Sequence, residues 1–330
     1  MTTDRYPRRA KVAIRAFTAA STLALAAACT EDAPVAPAGA PGPSLSANAR
    51  GDGKPALGKI AFARGVDELD RSIFIMNGDG SGVERITTGE SDHSPAWAPD
   101  YRTLAFVRSD INQYPVIMKY ALARSRLEPL ATPGGGAVNG LRWSPDGSEL
   151  AFEMYAEGHT DIYVIAADGT NLRRLTTDPG TDRHPTWSPD GSRIAFVSNR
   201  SAHEEIYVMS ADGTNQAPVT GCYVEFQLDC RSPSWSPIPG DERIVFTMSA
   251  VNGASQIRVI EADGSNATTL LATSATSDKQ PTWSRDGTRI VFASAMNGGA
   301  GDIFSMNASG GGLRQLTATE AVELQPAWSR

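Results

Sequence analysis

From Arg193 to Ser198 the chain reads RIAFVS, and from Glu205 to Ser210 it reads EIYVMS. In an extended strand Ile194 and Phe196 fall on one face and Ala195 and Val197 on the other, so both faces are apolar. Such a strand must be covered on both sides. Ser188-Pro189-Asp190-Gly191 precedes the first run, and Ala211-Asp212-Gly213-Thr214 follows the second. In the first turn Pro presets φ, Asp bonds back to the backbone and Gly accepts positive φ. The Asp-Gly pair of the second marks a hairpin. A run ending at Trp187 lies ahead of the first turn, and each unit closes on a short segment like LRRLT, Leu172 to Thr176. The pattern predicts four short antiparallel strands per unit.

The unit repeats. Trp97, Trp143, Trp187, Trp235, Trp283 and Trp328 all sit in one phrase, 44 to 48 residues apart. The second-strand phrase also occurs six times, as KIAF (59–62), TLAF (103–106), ELAF (149–152), RIAF (193–196), RIVF (243–246) and RIVF (289–292). Four-stranded sheets at this period, each packed on the next, predict an all-β, six-bladed β-propeller. The copy from Val107 to Leu141 is the most degenerate and lacks the Asp-Gly turn. The first copy lacks a tryptophan strand and the last lacks everything after it. Pro326–Ser329 is therefore expected to pair with Lys59–Phe62 and close the ring, leaving no open sheet edge.

Ahead of the repeats, Arg5, Arg8, Arg9, Lys11 and Arg15 lead into the apolar stretch Ala16 to Ala28, the layout of a secretory signal. Residues 29–57, rich in Pro, Ala and Gly, read as a flexible tether, and 58–330 as the propeller. The formal net charge is −7, and removing residues 1–28 makes the chain more acidic still. No Lys/Arg cluster remains to track phosphates, so nucleic acid is not an expected partner. In an exported protein Cys222 and Cys230 are expected to form a disulfide. No nucleophile elbow, phosphate-cradling loop or Ser/His/Asp spacing is present, and no cofactor is expected.

The sequence WSPDG–IAF–IYVM–DG–LT resembles the PD40 repeat, the WD40-like unit of TolB-type propellers, over essentially all of 59–330. The resemblance implies an envelope propeller without the α/β domain that precedes the propeller in TolB. LALAAAC, ending at Cys29, resembles a bacterial lipobox, which implies lipid attachment at Cys29. Thr30 in place of Asp after that cysteine points to the outer membrane, periplasmic side.

Strand parity puts the tight turns on one face of the disc and the longer loops on the other, where binding is expected. That loop face, around the channel mouth, is assigned Asp92, His93, His159, Asp182, Arg183, His184, His203, Arg231, Asp278, Lys279, Gln280, Glu323 and Gln325. The expected role is non-enzymatic: a monomeric, membrane-tethered platform for an envelope protein or peptide. Two alternatives stay open. One is a glycan or small-ligand binder. The other is a metal-dependent carbohydrate-active propeller resembling oligogalacturonate lyases, with two histidines and Gln280 or Gln325 holding the metal.

Overall fold

The computed structural model describes residues 58–66, 70–88, 91–109, 114–222, 228–249, 255–273, 279–296 and 301–329. The expected signal peptide, Cys29, the tether and Asp278 lie outside these residues.

Six four-stranded antiparallel sheets form the six blades. The innermost strands are Val322–Trp328, Asp92–Trp97, Val138–Trp143, Asp182–Trp187, Asp229–Trp235 and Lys279–Trp283, for blades 1 to 6 in order. Blade 1 is composite. Its innermost strand comes from the C-terminal end and pairs with Lys59–Gly65, Ile60 opposite Trp328 and Ala61 opposite Ala327. Ser329 N donates to Lys59 O at 2.7 Å, and Lys59 N donates to Ser329 Oγ at 2.8 Å. The ring closes as the broken repeat predicted.

Between every pair of neighbouring blades lies one apolar cluster, and the repeated phenylalanine anchors it. Phe62, Phe106, Phe152, Phe196, Phe246 and Phe292 are all fully buried. Trp187, Ile194, Phe196 and Tyr207 of blade 4, for example, pack on Ile162, Val164 and Leu175 of blade 3. This is why the second and third strands are apolar on both faces: each sheet is an interior layer.

The polar repeats are scaffold. In the turns, Asp146, Asp190 and Asp286 each accept a bond from the serine just after the tryptophan. The Ser188 and Ser192 hydroxyls and the Ser192 amide hold the Asp190 carboxyl down at about 2. The closing threonine has a task too: Thr87, Thr176, Thr220 and Thr317 accept the amides of Ile73, Ile162, Ile206 and Ile303 at 2.9–3.0 Å. In the degenerate blade 2, a 3₁₀ turn over Leu122–Arg124, with Ser125 at φ 45°, replaces the Asp-Gly hairpin.

In blade 1 the tryptophan strand and the strand paired with it are not consecutive in the chain, so no tight turn joins them. Two departures from the consensus face each other beside that gap. Tyr101 of blade 2 stands at φ 56°, where Gly147 and Gly191 adopt φ 74°. Arg285 of blade 6 replaces the turn proline, and its guanidinium lies 4.2 Å from the Tyr101 ring centroid.

Candidate functional site at the channel mouth

Each innermost strand carries a β-bulge at one position. In blade 4, Arg183 pairs with Val197 but Thr186 pairs with Ala195, so three residues on one strand span two on its partner. The other five blades do the same. The bulged residue lies three before the tryptophan: Gln325, Ser94, Gly140, His184, Ser232 and Gln280 for blades 1 to 6. All have φ between 52° and 66°. In five of the six blades proline follows it, which supplies no amide to the ladder. The bulge turns these residues toward the central axis.

They line a cavity of about 160 Å³ together with Asn139, Arg142, Glu153, Pro233 and Pro281. A hydrogen-bond relay runs round part of it. Gln280 Oε1 accepts Gln325 N at 2.8 Å, and Gln325 Oε1 accepts Ser94 N at 2.7 Å. Ser94 Oγ then accepts Gly140 N at 3.1 Å. Gly140 has no side chain to continue, and Glu153 Oε2 takes the His184 amide instead, at 2.7 Å. His184 Nδ1 is buried without a hydrogen-bond partner among the described residues.

Of the residues expected on this face, His184, Gln280 and Gln325 meet in the cavity. Arg183 and Arg231 are exposed beside it and share Glu204, with Arg231 also 2.9 Å from Asp229. Lys279 is exposed. His159 opens the third strand of blade 3, half-buried, opposite Ala156, and His203 is half-buried in a blade 4 loop.

Four others point inward. Asp92, Asp182 and Glu323 are completely buried and paired with Arg108, Arg200 and Arg64. The three guanidiniums lie against Phe106, Phe196 and Phe62. Burial pushes the Glu323 carboxyl above the usual range despite Arg64 and the hydroxyls of Thr317 and Thr319. His93 is 9 % exposed, its Nε2 3.1 Å from Ser109 Oγ and its Nδ1 3.3 Å from Ser94 Oγ. Burial, with Arg71 nearby, lowers its pKa to about 4. A two-histidine metal set is therefore not assembled at the mouth among the described residues, since His184 alone of the four histidines lines the cavity. A Glu205, Cys222 and Cys230 grouping has metal-like proximity, but both sulfurs are in the Cys222–Cys230 disulfide, Cα–Cα 6.1 Å, buried between blades 4 and 5.

Sequence reasoning missed Ser94, Gly140, Glu153 and Ser232. Their signal was a fixed distance of three residues ahead of each tryptophan, except for Glu153, which comes from a second strand.

The PD40 family, described as the TolB beta propeller domain, matches residues 59–223 and 220–330. The chain belongs to this family. The Tol-Pal system protein TolB of Anaeromyxobacter dehalogenans (strain 2CP-C) is 39 % identical over 93 residues, 28 % of this chain and 21 % of the relative. The chain thus spans about a fifth of the length of such curated relatives. The crystal structure of TolB from Acinetobacter baumannii shares the fold with a TM-score of 0.71 at 22 % identity, covering 82 % of this chain and 66 % of that one. Similarity extends to dipeptidyl-peptidase 5 of Porphyromonas gingivalis, 27 % identical over 132 residues, 38 % of this chain and 19 % of the peptidase. Among the described residues no helix is long and apolar enough to cross a membrane.

Proposed function

We propose that this TolB-family propeller is a non-enzymatic cell-envelope protein that holds a protein partner at its channel mouth. The observation that carries the reading is the mouth itself. Five bulges and, from blade 3, Asn139, Arg142 and Glu153 bring polar groups from all six blades to one cavity, on a ring whose other polar repeats are consumed by turns, strand amides and buried ion pairs. Similarity to Tol-Pal system proteins supports an envelope setting. The basic leader, apolar stretch and Cys29 support export and a lipid tether on the periplasmic side of the outer membrane.

Cross-linked pull-downs from envelope test the partner. The double variant Arg183→Ala/His184→Ala spares the buried Asp182 and is expected to lose the partner by tenfold or more. Recovery equal to wild type overturns the mouth as the interface. Cys29→Ser is expected to move the protein from the membrane to the soluble fraction, and unchanged fractionation overturns the tether.

A further inference from the structure

The relay round the mouth is incomplete, and its gap is local. The amides of Gln325, Ser94, Gly140 and His184 each donate to a side-chain oxygen. Among the described residues no side-chain oxygen takes the corresponding amides of Ser232 and Gln280. In the sequence of the relay, His184 would receive Ser232 and Ser232 would receive Gln280. His184 Nδ1 makes no such bond, although it is buried. The unfilled links all belong to blades 4, 5 and 6.

Three cations flank the cavity at the same three blades, outside its lining, in which Arg142 of blade 3 is the one arginine or lysine. The residue just before each bulge is Arg183, Arg231 and Lys279 there, and Leu324, His93 and Asn139 in blades 1 to 3. Arg183, Arg231 and Lys279 are exposed. Glu204 offsets part of Arg183 and Arg231, and Asp229 part of Arg231. No carboxylate among the described residues lies within ion-pair reach of Lys279. On the blade 3 side, Glu153 is turned onto the His184 amide. The result is a donor-rich half-ring on an acidic protein: the Ser232 and Gln280 amides, His184 Nδ1 in the tautomer that carries its hydrogen, and three cations at successive blades. Carboxylates are bound where amides and cations are grouped in this way.

We propose that the blade 4–6 half of the mouth is a carboxylate subsite, seating an acidic group of an extended partner segment. This rests on the reading of the mouth as a partner interface and names the chemistry it selects. The carboxylate can be an Asp or Glu side chain or a chain terminus, and the test separates them.

The test is a chemical-shift titration of the isotopically labelled protein at low salt. The probes are N-acetylated, C-amidated Gly-Glu-Gly-Glu-Gly, its Gln-for-Glu analogue, and acetyl-Gly-Gly-Gly with a free C-terminus. The glutamate peptide is expected to move the Ser232 and Gln280 amides and the His184 ring, with the Gln analogue at least about tenfold weaker. A response to the free-terminus peptide alone assigns the subsite to a chain end. Lys279→Gln and Arg231→Gln are each expected to weaken glutamate-peptide binding about tenfold, the scale of one charge-assisted hydrogen bond. Arg314→Gln, on the outer strand of blade 6, should leave it unchanged. No response to the free-terminus peptide together with equal binding of the Glu and Gln peptides, or indifference of the responding peptide to Lys279→Gln and Arg231→Gln, overturns the subsite. Loss of the pulled-down partner in Arg183→Ala/His184→Ala would still stand in that case, so the two readings fail separately.

Discussion

His93 makes folding stability depend on pH in a window that few other groups occupy. It sits in the first strand of blade 2, buried, with both ring nitrogens against serine hydroxyls and Arg71 close enough to oppose a positive charge. Its folded pKa of about 4 lies below the ordinary 6.5. The unfolded chain therefore binds a proton at this site between those values and the folded chain does not. Stability is fully present above the unfolded value and is lost as pH falls toward the folded one. Linkage puts the loss at about 2 kcal/mol on acidification from about pH 7 to about pH 5. His93→Asn keeps a polar group near Ser94 or Ser109 but cannot titrate. Urea denaturation at both pH values, with slopes checked for equality, gives the difference between wild type and variant. Wild type should lose about 2 kcal/mol more than the variant over this interval. Parallel profiles would refute the argument and mean that the imidazole takes up its proton without leaving its place. Asp92 does little to rescue the charge, because Arg108 already takes both of its oxygens at 2.8 and 2.9 Å.

Three further outcomes follow from the packing. Trp328→Ala removes a 4 % exposed side chain from the interface of blades 6 and 1 and should cost about 3–5 kcal/mol by calorimetry or urea melt, where trimming a frayed end would cost nothing measurable. Glu323→Gln leaves Arg64 half-sealed against Phe62 and Phe74 and should destabilise by about 2–3 kcal/mol; Glu149→Gln, which breaks the exposed pair with Arg173, should cost under about 1 kcal/mol in the same assay. Reducing Cys222–Cys230, which closes a loop at a sequence separation of 8, should lower stability by about 2–3 kcal/mol, read as the difference between melts with and without reductant.

The blade count and the closing strand were legible because the repeat states them six times over, in Trp97 and its five counterparts and in the six IAF-like phrases. The orientation of the mouth residues was not, and the reason is the bulge. Alternation along a strand predicts facing only while the period is two. One extra residue between Arg183 and Thr186 breaks that period, so His184 turns to the axis while Asp182, two positions earlier, turns into the blade toward Arg200. Asp92 and Glu323 are turned inward by the same bulge in blades 2 and 1. In sequence all three read as loop polar residues. Glu153 was invisible for a different cause: it fills the place of a missing side chain at Gly140, a substitution between blades that no single repeat encodes.

The contact between Tyr101 and Arg285 has a consequence for where the ring can be cut. Both residues abandon the turn consensus, Tyr101 at a left-handed backbone position that favours glycine, and they meet beside the blade whose first two strands no tight turn joins. A circular permutant that joins Ser329 to Lys59 through a Pro-Asp-Gly turn and opens between Trp187 and Arg193 would make blade 4 the composite blade. In that permutant Tyr101→Gly should become neutral or stabilising, whereas in the natural order it should weaken the join, so the position of the composite blade is itself marked by two residues remote from it in sequence.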